Sequence, residues 1–481
     1  MKRTRLLCLA AISLAFLCVA LPAAERPRYG GTLRVEMREF VNTMDPRGFD
    51  PASPTAPALD RLLGLVFDRL VRLDEFGQPQ SSLAVSWQHD ADFTHWQFQL
   101  RSDVKFHDET KLTPESAAAA LQLQDWPASV TGGAIAFSFQ LPRPNLLFEL
   151  ASGRSFIFHP AQDTVFGTGA FRIADWQPGK KLALIASEDY FAGRPFVDRV
   201  EIALGVAPQQ QLLDLELAHA DVVEVLPTLA RRASQSNARL WNSSPVDLFA
   251  LTIAPGRPAA QDPPLAQALS LAIDRAAIVN VLLQRQGEPA ASLLPQWLSG
   301  YAFLFTATPN LEQAKQLRAQ LPALRTLALV YDGGDPVAAT IAERIAVNAR
   351  DLGITVSVSA ANAGAATANA DLRLVRWHIE APDSQLALAI LLAQAMPPQV
   401  GAQNPAPSLT LDTPDGRYAA ERAALDTGAV VPIAFVPELY ALGPSVRDWM
   451  APSWGGWRLE DVWLDLAPKT EPAAPGNNAR N

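Results

Sequence analysis

One segment in the second half of the chain constrains the fold most strongly, because it holds a strand, a helix and another strand in direct succession. Leu327–Tyr331 has the composition of a buried strand, and Ile354–Val358 that of a second. Asp335 and Pro336 begin the helix between them, since aspartate accepts first-turn amide hydrogens and proline costs nothing there. Gly353 ends that helix. The segment predicts two parallel strands joined by a right-handed crossover.

Helix and strand patterns also alternate elsewhere. Thr32–Met37, Trp96–Leu100 and Asp371–Trp377 each have the pattern of a strand. Apolar residues recur at helical spacing between Ala58 and Leu70, and a further helix is expected to begin at Pro114. This alternation predicts an α/β fold. A length of 481 residues predicts two or more domains.

The amino terminus has the pattern of a secretory signal. Basic residues at positions 2, 3 and 5 precede an apolar run from Leu6 to Ala24. We expect residues 1–24 to be a signal peptide cleaved near Ala24, with an uncleaved membrane anchor as the alternative. Both cysteines, Cys8 and Cys18, lie inside this segment, so a disulfide or cysteine metal site is not expected in the mature chain. The expected location is the periplasm, without a lipid.

Charge and motifs narrow the function classes. The formal net charge of −9 argues against nucleic acid as a partner. The sequence contains no Walker-type phosphate loop, no G-x-S-x-G and no H-E-x-x-H. We therefore expect a protein that is not an enzyme and needs no cofactor. An exported enzyme on the same scaffold stays open as an alternative, because a fold does not fix a function.

Six blocks, taken in order, resemble the family-5 extracytoplasmic solute-binding proteins, the dipeptide-, oligopeptide- and nickel-binding receptors of ABC importers. The blocks are Tyr29–Arg34, Val66–Leu121, Gly167–Ile202, Phe249–Pro255, Ala268–Val279 and Val430–Leu442. They cover most of the chain after the signal segment. The resemblance is specific for the fold and much less so for the ligand.

The resemblance implies a two-lobed periplasmic-binding-protein fold of type II, similar to the large cluster C, with a discontinuous first lobe and a trimmed extra subdomain. Lobe I is expected to comprise residues 25–248 and 431–467, including a small subdomain at about 55–165. Lobe II is expected at 249–430, and a disordered tail at 468–481. Phe249–Ala254 and Ile433–Val436 would be the two crossover strands of a hinge, or else two ordinary core strands.

The resemblance also places a ligand-binding residue. In peptide-binding members a strand ends in Trp-x-x-Asp, and this aspartate binds the ligand ammonium. Trp377-His378-Ile379-Glu380 matches that pattern with glutamate in the aspartate position. Ligand-binding residues are therefore expected at Glu380, Trp377 and His378. Two alternatives remain for Glu380: it caps nearby N–H groups in a loop, or it shares a strand face with His378 and holds a metal.

Two departures from the family pattern bear on the ligand. The segment between Leu123 and Gly167 is short, and Leu392–Asp426 is expected to lack the family's usual loop and following helix. The expected function is that of a monomeric receptor which captures a small peptide-like ligand and delivers it to the transmembrane subunits of an ABC importer. A nickel or metal-chelate receptor, and a sensor or other non-transport role, are the alternatives.

Overall fold

The computed structural model describes residues 26–51, 53–162, 164–236, 238–254, 263–321, 325–361, 370–396, 411–449 and 451–466. The expected signal peptide and both cysteines lie outside these residues, as does the expected tail.

Helices and strands alternate along the chain as the sequence pattern predicts. The helices are α1 (Ala56–Val66), α2 (Pro114–Gln122), α3 (Leu146–Leu150), α4 (Pro208–Glu216), α5 (Ala230–Gln235), α6 (Pro263–Ala272), α7 (Arg275–Ala277), α8 (Gln296–Ser299), α9 (Leu311–Ala319), α10 (Pro336–Arg350), α11 (Ser384–Ala395) and α12 (Pro414–Asp426). The strands are β1 (Thr32–Glu36), β2 (Val71–Leu73), β3 (Pro79–Ser81), β4 (Ala84–His89), β5 (His95–Leu100), β6 (Ala128–Thr131), β7 (Ala134–Ser138), β8 (His159–Ala161), β9 (Thr164–Phe166), β10 (Phe171–Gln177), β11 (Lys181–Ala186), β12 (Arg199–Ala203), β13 (Val222–Glu224), β14 (Arg239–Ile253), β15 (Glu288–Pro289), β16 (Leu327–Asp332), β17 (Val356–Ala361), β18 (Leu372–His378), β19 (Val430–Leu442), β20 (Val446–Arg447) and β21 (Trp463–Leu464).

The predicted strand–helix–strand unit is confirmed. Strands β16 and β17 are parallel neighbours, and α10 connects them. The carboxylate of Asp335 accepts the amide hydrogens of Val337 and Ala338, which satisfies two of the four free N–H groups of the first turn. Strand β18, also predicted, pairs in parallel with the other edge of β16.

Eleven strands of the described chain form one continuous sheet, in the order β10-β11-β12-β1-β13-β19-β14-β18-β16-β17, with β15 paired to β19. Strands β14 and β19 are long, and they pair antiparallel from Arg239↔Leu442 to Thr252↔Val430. The two segments expected to cross at a hinge are therefore adjacent, since Phe249 lies opposite Ala434. Register shifts interrupt the pairing between Asn242 and Asp247, where the two strands leave one core and enter the next.

Separate hydrophobic cores lie on either side of this interruption. The first packs β1, α1, β11 and β12 against the carboxy-terminal segment, with Leu33, Leu62, Val200 and Leu459 fully buried. The second packs α6 and α10 on the strands beyond it, with Phe249 and Ile341 fully buried. These cores are the two lobes. The fold is the two-lobed α/β fold expected from the sequence, and the lobe bounds given above stay a prediction.

A smaller core, built on the sheet β4-β5-β7-β6, lies next to the first lobe. Trp96, Phe98 and Phe137 are buried there. Helix α2 covers the sheet, and Thr113 caps it through a reciprocal pair of hydrogen bonds with Ser116. This part of the chain is the region expected to form the trimmed subdomain.

The prediction that no helix follows the proline-rich region after Leu392 was wrong. Helix α12 begins after Thr413, whose hydroxyl accepts the Gly416 amide hydrogen, with Pro414 in the first position. Ala420 and Ala424 are buried on one face of it. The proline-rich composition of the preceding stretch obscured an ordinary capped helix.

No single helix in the described ranges is long and apolar enough to cross a membrane. One bent pair, Pro264–Ala272 with Arg275–Leu282, passes that test jointly, by length and composition only.

A glycine pair fixes the junction between the first core and the smaller one. The Gly169 amide donates to the Val66 carbonyl oxygen at 2.9 Å, at the end of α1. A Cβ atom on Gly167 would lie 1.9 Å from that same oxygen. Only glycine therefore allows this close backbone approach.

We predict opposite effects for two Gly→Ala substitutions. Gly167→Ala should lower the free energy of unfolding by roughly 1–3 kcal/mol or more, because the new methyl group displaces the Val66 backbone. Gly64→Ala is the matched control, since Gly64 is exposed in α1 and nothing lies within 4 Å of its Cβ direction. It should raise stability by about 0.5–1 kcal/mol. Urea denaturation measures both changes, and equal stability of the two variants would contradict the close approach.

Candidate functional site: the cleft between the lobes

One face of β18 changes from apolar to charged as the strand reaches the junction of the lobes. Leu374 on this face is buried in the second core, and the next two positions of the face carry Arg376 and His378. On the neighbouring strand β14, Asp247 stands in register with His378. Since strand side chains alternate between faces, these charged groups share one side of the sheet.

Asp247 is the centre of this charged group. Its carboxylate accepts hydrogen bonds from the Arg376 guanidinium at 2.5 and 3.1 Å and from Nδ1 of His378 at 2.8 Å. Burial alone would raise the pKa of Asp247, but Arg376 and His378 outweigh it and hold that pKa well below its usual range. Burial would lower the pKa of His378, and its hydrogen bond to Asp247 raises it instead. Each shift favours the charged form of its group.

Asp335 supplies a second carboxylate to Arg376. One of its oxygens caps α10, and the other lies 3.3 Å from Nη1 of Arg376. The Arg376 side chain is 31% exposed, so the group lies at the surface of the cleft and is not sealed within the core.

The first lobe presents its own charged cluster at the same junction. Arg61 of α1 lies 2.6 Å from the carboxylate of Glu438 on β19 and 3.3 Å from that of Glu224 on β13. The Arg38 amide donates to Glu224 at 2.9 Å, and the Arg38 guanidinium pairs with Glu39. Burial and the neighbouring Glu39 carboxylate raise the pKa of Glu224.

The two lobes touch each other on either side of these clusters. The Arg38 guanidinium, from the first lobe, donates to the Gly334 carbonyl oxygen of the second lobe at 2.8 Å. The ring of Pro382 packs so close to Gly77 that a Cβ there would lie 2.5 Å from Cγ of Pro382. The structure therefore shows the lobes in contact across the cleft.

Glu380 lies two residues beyond the end of β18, after the Ile379 amide has bonded to the Val246 carbonyl oxygen at 2.8 Å. It is half-buried, and within the described part of the chain it makes no hydrogen bond or ion pair. Burial raises its pKa, His378 and Arg69 lower it, and Asp60 raises it further. Asp60 and Arg69 belong to the first lobe, so charged groups of that lobe act on the Glu380 carboxylate.

The alternative that Glu380 caps nearby N–H groups in a loop would require hydrogen bonds that are not present among the described residues. Asp383 caps α11, and its carboxylate accepts the Leu386 amide hydrogen at 2.7 Å.

Trp377 lies apart from the other two predicted site residues. It is on the opposite face of β18 from His378 and packs, partly buried, against the core that contains Leu248 and Ile379. The structure thus brings His378 and Glu380 together and places Trp377 away from them. The ligand-binding role of each of the three stays a prediction.

Sequence reasoning missed Arg376, Asp335 and Asp247 as site residues. Arg376 could have been found by extending the alternation of His378 and Glu380 backwards by two positions. Asp335 was interpreted only as a helix cap, but its second oxygen also pairs with Arg376. Nothing local in the sequence indicated Asp247.

The described side chains also bear on the alternative that Glu380 and His378 hold a metal. No group of three or more histidine, cysteine, aspartate or glutamate side chains in the described ranges is arranged to hold a metal ion. The arrangement can instead bind a cation at Glu380 through one charge-assisted hydrogen bond.

Comparison with known proteins gives the context for this cleft. A family model described as "Bacterial extracellular solute-binding proteins, family 5 Middle" matches residues 78–395. The chain is 24% identical over 361 residues to the probable D,D-dipeptide-binding periplasmic protein DdpA of Escherichia coli (strain K12), covering 67% of this chain and 70% of that protein. It is 22% identical over 314 residues to the nickel-binding protein NikA of Staphylococcus aureus (strain NCTC 8325 / PS 47), covering 60% of this chain and 64% of NikA, just under two thirds of its length.

A solved structure agrees over nearly the whole fold. The periplasmic binding protein DppA of Helicobacter pylori, in complex with the peptide STSA, superposes with a TM-score of 0.77 at 17% identity. The match covers 92% of this chain and 99% of DppA. With the family model spanning most of the chain, from β3 through α11, the protein belongs to the family-5 bacterial extracellular solute-binding proteins.

Proposed function

We propose that the protein is an exported receptor that captures a peptide-like ligand in the cleft, holding the ligand's ammonium group with Glu380. The single observation that carries this proposal is the state of the Glu380 carboxylate. It is half-buried, charged groups of the opposite lobe influence its pKa, and it has no hydrogen-bond or ion-pair partner among the described residues. A desolvated carboxylate without a partner is costly, and a ligand cation would remove that cost.

The relatives include both peptide-binding and nickel-binding proteins, and the unpartnered carboxylate of Glu380 favours a peptide. DdpA is named for D,D-dipeptides, and the structure of DppA contains a peptide, whereas NikA is named for nickel. An extended peptide carries a positive charge at its amino end, which an acidic anchor in a closed cleft would bind and orient. A nickel receptor remains the second candidate because of the relationship to NikA.

The remaining parts of the proposal come from the family. A binding protein of this family would act outside the cytoplasm and pass its ligand to the transmembrane subunits of an ABC importer. We further propose that the chain is exported by its amino-terminal segment and acts as a monomer. Membership of a family of solute-binding proteins favours binding over catalysis.

Glu380→Gln tests the anchor directly. The amide keeps the shape of the side chain and removes its charge, so a buried ammonium loses its counter-charge. We expect affinity for an equimolar mixture of tripeptide amides to fall by about 2–5 kcal/mol. At ~1.4 kcal/mol per tenfold, that loss is roughly thirty- to several-thousand-fold in Kd. Equilibrium dialysis with mass spectrometry measures the retained fraction.

Two controls complete this experiment. Glu343→Gln removes a carboxylate from the exposed face of α10 and should leave affinity unchanged. Acetylating the peptide amino termini should weaken binding to the native protein as strongly as Glu380→Gln does. Acetylation should lower the affinity of the Glu380→Gln variant only slightly further, because both changes remove the same interaction. Retained affinity in Glu380→Gln would remove Glu380 from the site.

The raised pKa of Glu380 predicts a pH dependence of binding. Because burial raises that pKa above the value of an ordinary glutamate, the carboxylate gains its proton at a higher pH than an exposed one would. Affinity for tripeptide amides should therefore fall as the pH is lowered through this pKa, by up to about tenfold per pH unit. Glu380→Gln should show a flat profile over the same range, and a parallel profile in the two proteins would assign the pH effect to another group.

Ligand binding should also stabilise the closed arrangement of the lobes. A ligand that touches both lobes binds the closed state more tightly and shifts the population towards it. Small-angle scattering should show a smaller radius of gyration with saturating tripeptide amides than without them. Glu380→Gln at the same peptide concentration should keep the radius of the free protein. An unchanged radius in the native protein would contradict closure by the ligand.

A further inference from the structure

The guanidinium groups near the proposed site already form ion pairs with carboxylates of the protein itself. Arg376 is bound by Asp247 and Asp335, and Arg61 by Glu224 and Glu438.

Two further arginines, Arg38 and Arg69, also form ion pairs within the protein. Arg38 pairs with Glu39 and donates to a main-chain oxygen across the cleft. Arg69 pairs with Asp60 and stacks on the Phe156 ring at 3.8 Å. Each of these cations has an internal counter-charge.

The charges of the central cluster can balance without a ligand. Three guanidinium groups, those of Arg38, Arg61 and Arg376, meet five carboxylates, which belong to Glu39, Glu224, Asp247, Asp335 and Glu438. Two carboxylates are thus in excess, and a proton on Glu224 together with a proton on His378, both favoured by their surroundings, offsets them. Glu380 then contributes a further carboxylate. The charge left without an internal partner in this count is that of Glu380.

This internal pairing limits what the far end of a ligand can carry. Arg376 precedes Glu380 by four residues of nearly extended chain, roughly 13 Å, and an extended peptide of three to four residues spans roughly 10–14 Å. A ligand held at Glu380 thus reaches the region of the paired guanidiniums. A free carboxylate there would compete with carboxylates that already hold those guanidiniums, and it would be repelled by them.

We propose that the cleft selects peptide-like ligands with a cationic end and no free carboxylate, such as peptides whose carboxyl end is amidated or otherwise blocked. This inference rests on the proposed function and names its substrate class. Carboxylates of the protein itself cause this exclusion of anionic ligands. Asp247 and Asp335 bind Arg376, and Glu224 and Glu438 bind Arg61, so neither guanidinium is available to a ligand carboxylate.

The test compares three equimolar tripeptide mixtures on the full native protein: free acids, carboxy-terminal amides, and amides with acetylated amino ends. Equilibrium dialysis with mass spectrometry should show the amides bound at least about tenfold more tightly than the free acids. Equal or tighter binding of the acids, with the preference for a free amine intact, overturns this inference alone. Equal binding of the acetylated and free-amine amides contradicts the Glu380 anchor of the proposed function, as does the absence of binding from every mixture.

Asp335→Asn tests the physical cause. Asparagine also caps helices, so α10 should stay capped, while Arg376 loses one of its two counter-charges. The preference for amides over acids should shrink severalfold in this variant, mainly through tighter binding of the acids. Asp351→Asn is the matched control, because Asp351 is exposed at the other end of α10. A melting curve confirms that both variants fold, and an unchanged preference in Asp335→Asn overturns the assigned cause.

Discussion

The antiparallel pairing of β14 with β19 is the constraint on which the rest of the structure depends. These strands run through both cores, and each core is completed by residues from both of them. Their pairing is irregular between Asn242 and Asp247, at the change from one core to the other. Asp247 therefore stands where the lobes meet, next to β18 and its charged face. The position of the candidate site follows from the way the chain passes between its lobes.

Much of the fold could be predicted from the sequence because its causes are local. The β16–α10–β17 unit is fixed by an apolar run, a capping aspartate and a terminating glycine, all within a short stretch. The family resemblance added the two crossover segments, which are indeed paired. Helix α12 was missed because the proline-rich segment before it was given more weight than the capping residue Thr413.

The candidate site was less predictable because its contacts join distant parts of the chain. Arg376 and Asp247 are 129 positions apart, and Arg61 and Glu438 are 377 apart. A sequence motif could point to Glu380, but it could not show which arginines nearby were already paired. Buried ion pairs of this kind add little net stability, since desolvation offsets much of their attraction. In this cleft, these ion pairs instead determine which ligand charges can bind.

The charge of the cleft also bears on the nickel alternative. A bare divalent ion would be attracted to an acidic cleft, but ions of this type need several nitrogen, oxygen or sulfur ligands in a fixed geometry. In the described ranges no such group of three is present, and the one histidine of the cleft, His378, has its Nδ1 committed to Asp247. A metal held by an anionic chelator would meet the same internally paired guanidiniums that oppose a peptide carboxylate. A singly anchored organic cation fits this cleft better than either form of the metal, because it needs only one carboxylate without a partner, and Glu380 is such a carboxylate among the described residues.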